Sequence, residues 1–279
     1  MDNLLAGFGP EQIAVDLGCG HGSFHYESYR CRIIGIDVTI SGTNLYRDGS
    51  RIDYVRADSS GIPLANKSVE AVFSHHTMEH FPEYRRTLRE IDRVLKDRGL
   101  LWIAVPNGYS LDDALYRMVF SGGGHVNRFT REGLINAVQE LTRFRLKQEV
   151  DLFSSFIYLK KPTAGEYEHF PQSARALYHM PENFNAAGVL AINAVTRITD
   201  KVFKSRFSQY GWGFVFGAED AELPPLHTAF FNVCSRCGSG IPADSLRQQV
   251  GKTIFGLGLF KCPQCGQKNS FVEPPEGLA

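Results

Sequence analysis

Residues 13–22 read Ile13-Ala14-Val15-Asp16-Leu17-Gly18-Cys19-Gly20-His21-Gly22. An apolar run ending in Asp16 and passing into glycines at 18, 20 and 22 predicts a buried strand. The turn that follows it can bring backbone close to a ligand. A dinucleotide fingerprint of the form G-x-G-x-x-G would need glycine where Ser23 stands. A carboxylate directly before the loop would also repel a pyrophosphate, whereas it suits the ammonium group of a methionine moiety.

Outward from this loop, strand-like and helix-like segments alternate. After the strand at Gln12–Leu17 comes a short helical stretch around Phe24–Tyr29. Apolar runs follow at Arg32–Val38, Asp53–Arg56 and Val69–Ser74. Tyr84, Leu88, Ile91 and Leu95 repeat at helical spacing and predict a helix over Pro82–Asp97, with Gly99 as its stop. Leu100–Val105 reads as a fifth strand. This alternation predicts a parallel, doubly wound sheet with right-handed crossovers. Residues 108–129 read as a loop or short helix ending in Gly122-Gly123-Gly124-His125. A helix at Arg131–Leu141 and a strand at Phe144–Leu152 follow.

Residues 153–210 are rich in aromatics, among them Phe153, Phe156, Tyr158, Tyr167, Phe170, Tyr178 and Phe184, and suit a sugar ring or an apolar acceptor. Within them an amphipathic helix is expected over Ala186–Phe203. Its apolar residues Leu190, Ala194, Val195, Ile198 and Val202 form a face that docks on a core or, in the sharper reading, touches a membrane surface or acyl chain. Gly213–Phe216 reads as a last strand, and Pro224-Pro225 as a linker. The expected fold is thus α/β: a Rossmann-like, seven-stranded doubly wound sheet over residues 1–220 with a helical cap inserted at 153–210. A four-cysteine zinc ribbon is expected over 226–272. With few residues before the first strand, the insert is the candidate to close an acceptor pocket.

Two further acids stand at strand ends. Asp37, with Val38 beside it, ends the second strand, where a carboxylate accepts hydrogen bonds from ribose hydroxyls. Asp58 follows the third and could accept from an adenine amino group, with Ser59 beside it. Singly, each reads as a solvated loop residue; three acids at three successive strand ends around one glycine loop read as a binding site.

The stretches VDLGCGHG, GID, RADSSGIPLANKSVEAVFS and LREIDRVLKDRGLLWIAVPN together resemble class I S-adenosylmethionine-dependent methyltransferases, in particular the branch acting on small molecules, quinones and sugars. The resemblance covers residues 12–107 and extends loosely to 152. It implies S-adenosylmethionine as cofactor, with Asp16, Gly18, Cys19 and Gly20 at its methionine end, Asp37 and Val38 at the ribose, and Asp58 and Ser59 at the adenine. Ser74 and His75, at the end of the fourth strand, join this set.

Methyl transfer is an in-line displacement, and an oxygen or nitrogen acceptor needs a base. After the fourth strand comes Ser74-His75-His76-Thr77-Met78-Glu79-His80. Were it helical, His76, Glu79 and His80 would share one face. Three readings stand: structural residues, a general base at His76 or His80, or a divalent-ion ligand set of the form H-x-x-E-H. His125, after three glycines, reads either as part of a mobile lid over the acceptor or as a cap of the next helix.

Cys234-x-x-Cys237 and Cys262-x-x-Cys265, each followed by glycine, suit a tetrahedral zinc site with four thiolate ligands. Four protein ligands leave no open position, so the ion is expected to be structural. The intervening apolar Ile254-Phe255-Gly256-Leu257 tip favours a protein partner or self-association over nucleic acid. Cys19 and Cys31 read as ordinary buried thiols. Lysine plus arginine (30) equals aspartate plus glutamate (30) over the 279 residues, so no net field draws the chain to nucleic acid or anionic lipid. A small-molecule or glycan acceptor is expected, in a cytoplasmic protein without a transmembrane segment. The alternatives are an RNA methyltransferase gripping its substrate through the ribbon, and a non-catalytic cofactor-binding adaptor.

Overall fold

The structure is a computed structural model, described here for residues 2–20, 22–40, 51–160, 171–226, 230–250 and 257–275. A short helix α1 (Asp2–Leu5) precedes β1 (Ile13–Leu17), β2 (Arg32–Asp37), β3 (Ile52–Arg56) and β4 (Val69–His75). Helix α2 (Tyr84–Val94) leads into β5 (Leu95–Pro106), then α3 (Leu111–Val119), α4 (Arg131–Leu141) and β6 (Arg145–Phe153). Helices α5 (Gln172–His179) and α6 (Glu182–Phe203) precede β7 (Gln209–Gly217). The tail holds β8 (Asn232–Val233), β9 (Gly240–Ile241), α7 (Ala243–Val250), β10 (Leu257–Lys261) and β11 (Lys268–Val272).

The seven strands β1–β7 form one Rossmann-like sheet in the order β3-β2-β1-β4-β5-β7-β6. Strand β1 runs parallel to both β2 and β4, and Ala14, Val15, Asp16 and Leu17 are buried along it. This is why the run is apolar without alternation: strands covered on both faces have no polar side. Helix α2 buries Leu88, Ile91 and Val94 at i, i+3 and i+6, and α4 buries Leu134, Ile135, Ala137 and Val138. Thr130 caps α4, its Oγ1 accepting from Gly133 N at 3.1 Å. Among the described residues, no helix is long and apolar enough to cross a membrane.

The chain divides into two compact units. One comprises Met1–Gly108, Val126–Val150 and Trp212–His227, and the other Tyr109–His125, Asp151–Gly211 and Thr228–Ala279. The cysteine-rich tail therefore shares a unit with α3, α5 and α6. Arg197 of α6 shows how. Its guanidinium is 2% exposed and donates to Phe231 O at 2.6 Å, Asn193 Oδ1 at 2.9 Å and Ser154 O at 2.5 Å. Phe153 and Phe231 meet edge to face at 5.1 Å, and Asn232 exchanges two 3.0 Å bonds with the Val272 backbone. Burial pushes the Arg197 guanidinium down to about 10.

Four local expectations are corrected. The helix expected to reach Asp97 stops at Val94, because Leu95 already pairs with Val69; Lys96, Asp97 and Arg98 bulge outward, and Gly99 lies inside the strand rather than ending a helix. The stretch around Phe24–Tyr29 is a single 3-10 turn at Tyr26–Ser28. Residues 74–80 are not α-helical: β4 runs to His75, His76 takes φ 54°, and Met78–His80 form a 3-10 turn. On α6 the buried residues are Asn185, Val189, Asn193, Thr196, Arg197 and Asp200; of the expected apolar face Val195 and Val202 are exposed, while Leu190 and Ala194 are half-buried and Ile198 packs against Phe153, Phe231 and Val272. The Arg197 and Asp200 hydrogen bonds make a polar face buriable, so apolar periodicity only partly marked the docked side. His21, Tyr167, Phe170, the side chain of Tyr178 and the 254–256 part of the tail's apolar tip lie outside the described residues.

Candidate functional site

The glycine loop leaves the carboxyl end of β1, where ligands bind in open parallel sheets. Gly18 N and Cys19 N both donate to Ile36 O, at 2.7 and 3.2 Å, so the loop is fastened to the end of β2. Gly18 takes φ 76°, a conformation that glycine alone adopts without strain. Gly20 N donates to Asp37 Oδ2 at 2.9 Å, and Thr39 N to Asp37 Oδ1 at 2.9 Å. These bonds hold the carboxylate in place while leaving it partly exposed. Val38 beside it is exposed.

Asp16 is fully buried. Its oxygens accept from Ser23 N at 3.0 Å, Ser23 Oγ at 2.8 Å and the Tyr26 hydroxyl. Burial pushes its carboxyl up, against the opposing pull of those bonds. Asp16 thereby closes the loop onto its own far end. Cys19 is buried and its thiol is pushed up to about 12, chiefly by burial, so it is inert packing beside the loop.

Asp58 is exposed, and Ser60 N donates to its Oδ1 at 2.8 Å, which holds its carboxyl below the usual range. Ser59 is buried and its hydroxyl meets Thr87 Oγ1 at 3.0 Å. Asp37 therefore stands at the carboxyl edge of β2 beside the loop from β1, and Asp58 just past β3. Residues 15–103 match the family of the methyltransferase domain.

Two mycobacterial relatives agree. The phthiotriol/phenolphthiotriol dimycocerosates methyltransferase of Mycobacterium tuberculosis is 29% identical over 33% of this chain and 36% of its own. A probable S-adenosylmethionine-dependent methyltransferase of the same species is 31% identical over 46% of this chain and 44% of its own. The chain thus spans less than half the length of these relatives. Among solved structures, phosphoethanolamine N-methyltransferase 2 of Haemonchus contortus, in complex with phosphomonomethylethanolamine and S-adenosylhomocysteine, shares the fold. Its TM-score is 0.51 at 16% identity, covering 78% of this chain and 51% of that one. Over residues 15–103 the chain is thus similar to S-adenosylmethionine-dependent methyltransferases.

Within the matched region the end of β4 is tied to the loop. Ser74 is fully buried; its hydroxyl meets Thr77 Oγ1 at 2.8 Å, and Thr77 Oγ1 donates to Leu17 O at 3.0 Å. Burial pushes the His75 imidazole down to about 4, and Trp102 Nε1 lies 3.5 Å from its Nδ1. Glu79 is 1% exposed, while His76 and His80 are half-buried. Asn127 fastens this turn, donating from its backbone to Glu79 O at 3.0 Å and from Nδ2 to Phe81 O at 2.8 Å.

His125 belongs to the second unit. Its Nδ1 lies 2.8 Å from Asp113 Oδ1, and Arg117 Nε donates to Asp113 Oδ2 at 2.5 Å. Burial raises the Asp113 carboxyl, but the His125 and Arg117 bonds outweigh it and leave it below its usual range. Tyr116 stacks on the imidazole at 4.7 Å, and Arg117 Nη1 reaches His125 O at 2.7 Å. A Cβ on Gly123 would fall 2.1 Å from Tyr116 Cε1, so this turn admits only glycine there. Asp113 and Tyr116 were not foreseen; the i, i+4 spacing of Asp113 and Arg117 was the available signal.

The four cysteines of the tail come together. Cys234 and Cys265 sulfurs lie 3.6 Å apart, as do those of Cys237 and Cys262, and all four lie within 4.8 Å of one another. The two knuckles repeat one geometry. Gly238 N donates to Cys234 O and Gly266 N to Cys262 O, while Cys234 N and Cys262 N donate to Ser239 O and Gln267 O. Asn269 Nδ2 and Arg236 N donate to Cys234 Sγ at 3.5 and 3.4 Å. Burial works against ionisation of Cys237, but hydrogen bonds led by Ser239 bring its thiol down to about 6. A tetrahedral ion with bonds of about 2.3 Å sets sulfurs about 3.8 Å apart, so this cluster is compatible with a zinc site.

Proposed function

We propose that the chain is an S-adenosylmethionine-dependent methyltransferase that O-methylates a small molecule or glycan precursor. The observation that carries this reading is the fastening of the glycine loop to Asp37, through Gly20 N at 2.9 Å, at the carboxyl edge of the sheet. Gly18, Cys19 and Gly20, closed by Asp16, hold the methionine end; Asp37 and Val38 take the ribose, and Asp58 and Ser59 the adenine. Ser74 and His75 complete the wall from β4. The cofactor supplies an electrophilic methyl group, and the protein's part is alignment of the acceptor and removal of its proton.

For that proton, His76 or His80 serves as base, on the turn after β4 in the same unit as the glycine loop. His75, held near 4, is a poor base at neutral pH; Glu79 serves in the wall of the acceptor side. Cys234, Cys237, Cys262 and Cys265 hold a structural zinc ion in a ribbon over residues 226–272. The equal numbers of acidic and basic residues favour an uncharged acceptor over nucleic acid.

Calorimetry with S-adenosylhomocysteine tests this reading. Micromolar binding by the wild type, lost in Asp37→Ala, is expected. No binding by folded wild-type protein overturns it.

A further inference from the structure

Helix α6 has a second face that the methyltransferase reading does not use. At about 100° per residue, Phe184, Gly188, Ala191, Val195 and Val202 fall in one stripe about 60° wide. Phe184, Val195 and Val202 are 61–67% exposed, opposite the polar face that carries Arg197 and Asp200. From Asn183 to Thr199 the only charged residue is Arg197, and it is buried. The stretch Lys201-Val202-Phe203-Lys204-Ser205-Arg206-Phe207 follows, the helix itself ending at Phe203. Phe203 and Phe207 are 75% and 51% exposed, and Lys204 and Arg206 are exposed between them. This stretch carries three cations and no acid. Asp151 is the acid facing it from another element, 3.1 Å from Arg206 across an exposed pair.

A long uncharged stripe ending in aromatics that alternate with cations is the make-up of a helix lying in a membrane interface. We propose that α6 rests on an anionic lipid surface, with Phe203 and Phe207 seated among the headgroups and Lys204 and Arg206 against their phosphates. Charge decides the occupant. A second copy of the chain would offer its own stripe, which brings no acid to meet these cations, whereas anionic lipid neutralises them. Local placement matters more than net charge, because screening confines each cation's reach to about 10 Å. The buried polar face keeps α6 anchored in its unit, so the helix lies on the surface without having to leave the fold. This proposal is independent of the methyltransferase reading.

The test is co-sedimentation of the full, zinc-loaded chain with phosphatidylcholine vesicles, with and without phosphatidylglycerol. Binding to the anionic vesicles is expected, absent on neutral ones and weakened by added salt. Two variants, Phe203→Ser with Phe207→Ser and Lys204→Gln with Arg206→Gln, are each expected to weaken it about tenfold. Circular dichroism and metal content check that both variants are folded. Absence of binding by folded wild type, or binding that neither variant weakens, overturns the proposal. So does a wild-type dimer in light scattering that Val195→Ser disperses, since it assigns the stripe to a second copy.

Discussion

A methyl group placed on Gly18 would lie 2.7 Å from both Cβ and Cγ2 of Thr77. Thr77 cannot withdraw freely, because its hydroxyl is held between Ser74 Oγ and Leu17 O. Gly18→Ala therefore suffers twice, from this clash and from a left-handed backbone. A loss of about 2–4 kcal/mol in urea unfolding is expected, together with weakened S-adenosylhomocysteine binding. Adding Thr77→Ala should return part of the stability by relieving the clash. A fully stable single variant would mean that the loop and Thr77 move apart at little cost.

Asp112 makes stability depend on pH. Buried beside the Ser154 hydroxyl, its carboxyl is pushed up to about 6 by desolvation, only partly countered by hydrogen bonds from Ser154 and Tyr158. A raised acid favours the fold while protonated. Its contribution is complete below the unfolded value near 4 and is lost as pH rises through about 6. Asp112→Asn keeps the shape and cannot titrate. The wild type is expected to lose stability relative to the variant between pH 4 and 7, on the order of 2–3 kcal/mol, read from paired urea midpoints. A difference flat with pH would place Asp112 in a wetter setting.

Arg197→Met removes four buried hydrogen bonds and leaves Phe231 O, Ser154 O, Asn193 O and Asn193 Oδ1 without that donor. A loss of about 3–5 kcal/mol is expected. Hydrogen exchange should quicken together in α6 and around residues 231–234, since the guanidinium ties the two. Quickening in α6 alone would show that the tail is held by other contacts.

The sulfur cluster predicts one zinc ion per chain and protection of four thiols from a thiol reagent until a chelator is added. Chelation, or Cys262→Ser, should loosen β10 and β11 and leave exchange in β1, β2 and β4 unchanged, because those strands belong to the other unit. Loosening of β1 at the same rate would contradict that independence.

Much of this fold was readable as periodicity. The limits of α4 coincide with those expected, because Thr130 is a strong cap and its apolar residues repeat at helical spacing. Strands β1, β2 and β4 were equally plain as apolar runs between glycine and acidic turns. What escaped was fixed by tertiary pairing. Leu95 left its helix for a strand partner, His76 turned left-handed, and α6 buried a polar side because Arg197 found partners far away in sequence and Asp200 caught the turn just after the helix. In the site, the acids Asp16 and Asp37 could be read from position. Tyr26, Thr77 and Asp113 could not, since each earns its role only once a turn brings it to its partner.

The second unit is assembled from three separate stretches, the last beginning at Thr228. During synthesis, Arg197 emerges from the ribosome well before Phe231, whose carbonyl it requires. Until then a guanidinium that the finished fold buries stands in water. At translation rates of about 5–20 residues per second the wait for residues 231–272 lasts seconds, far longer than helix formation. The nascent chain therefore passes through a stage in which the glycine loop and its first strands are made while α6 waits for its fastening, a window in which chaperones have most reason to bind.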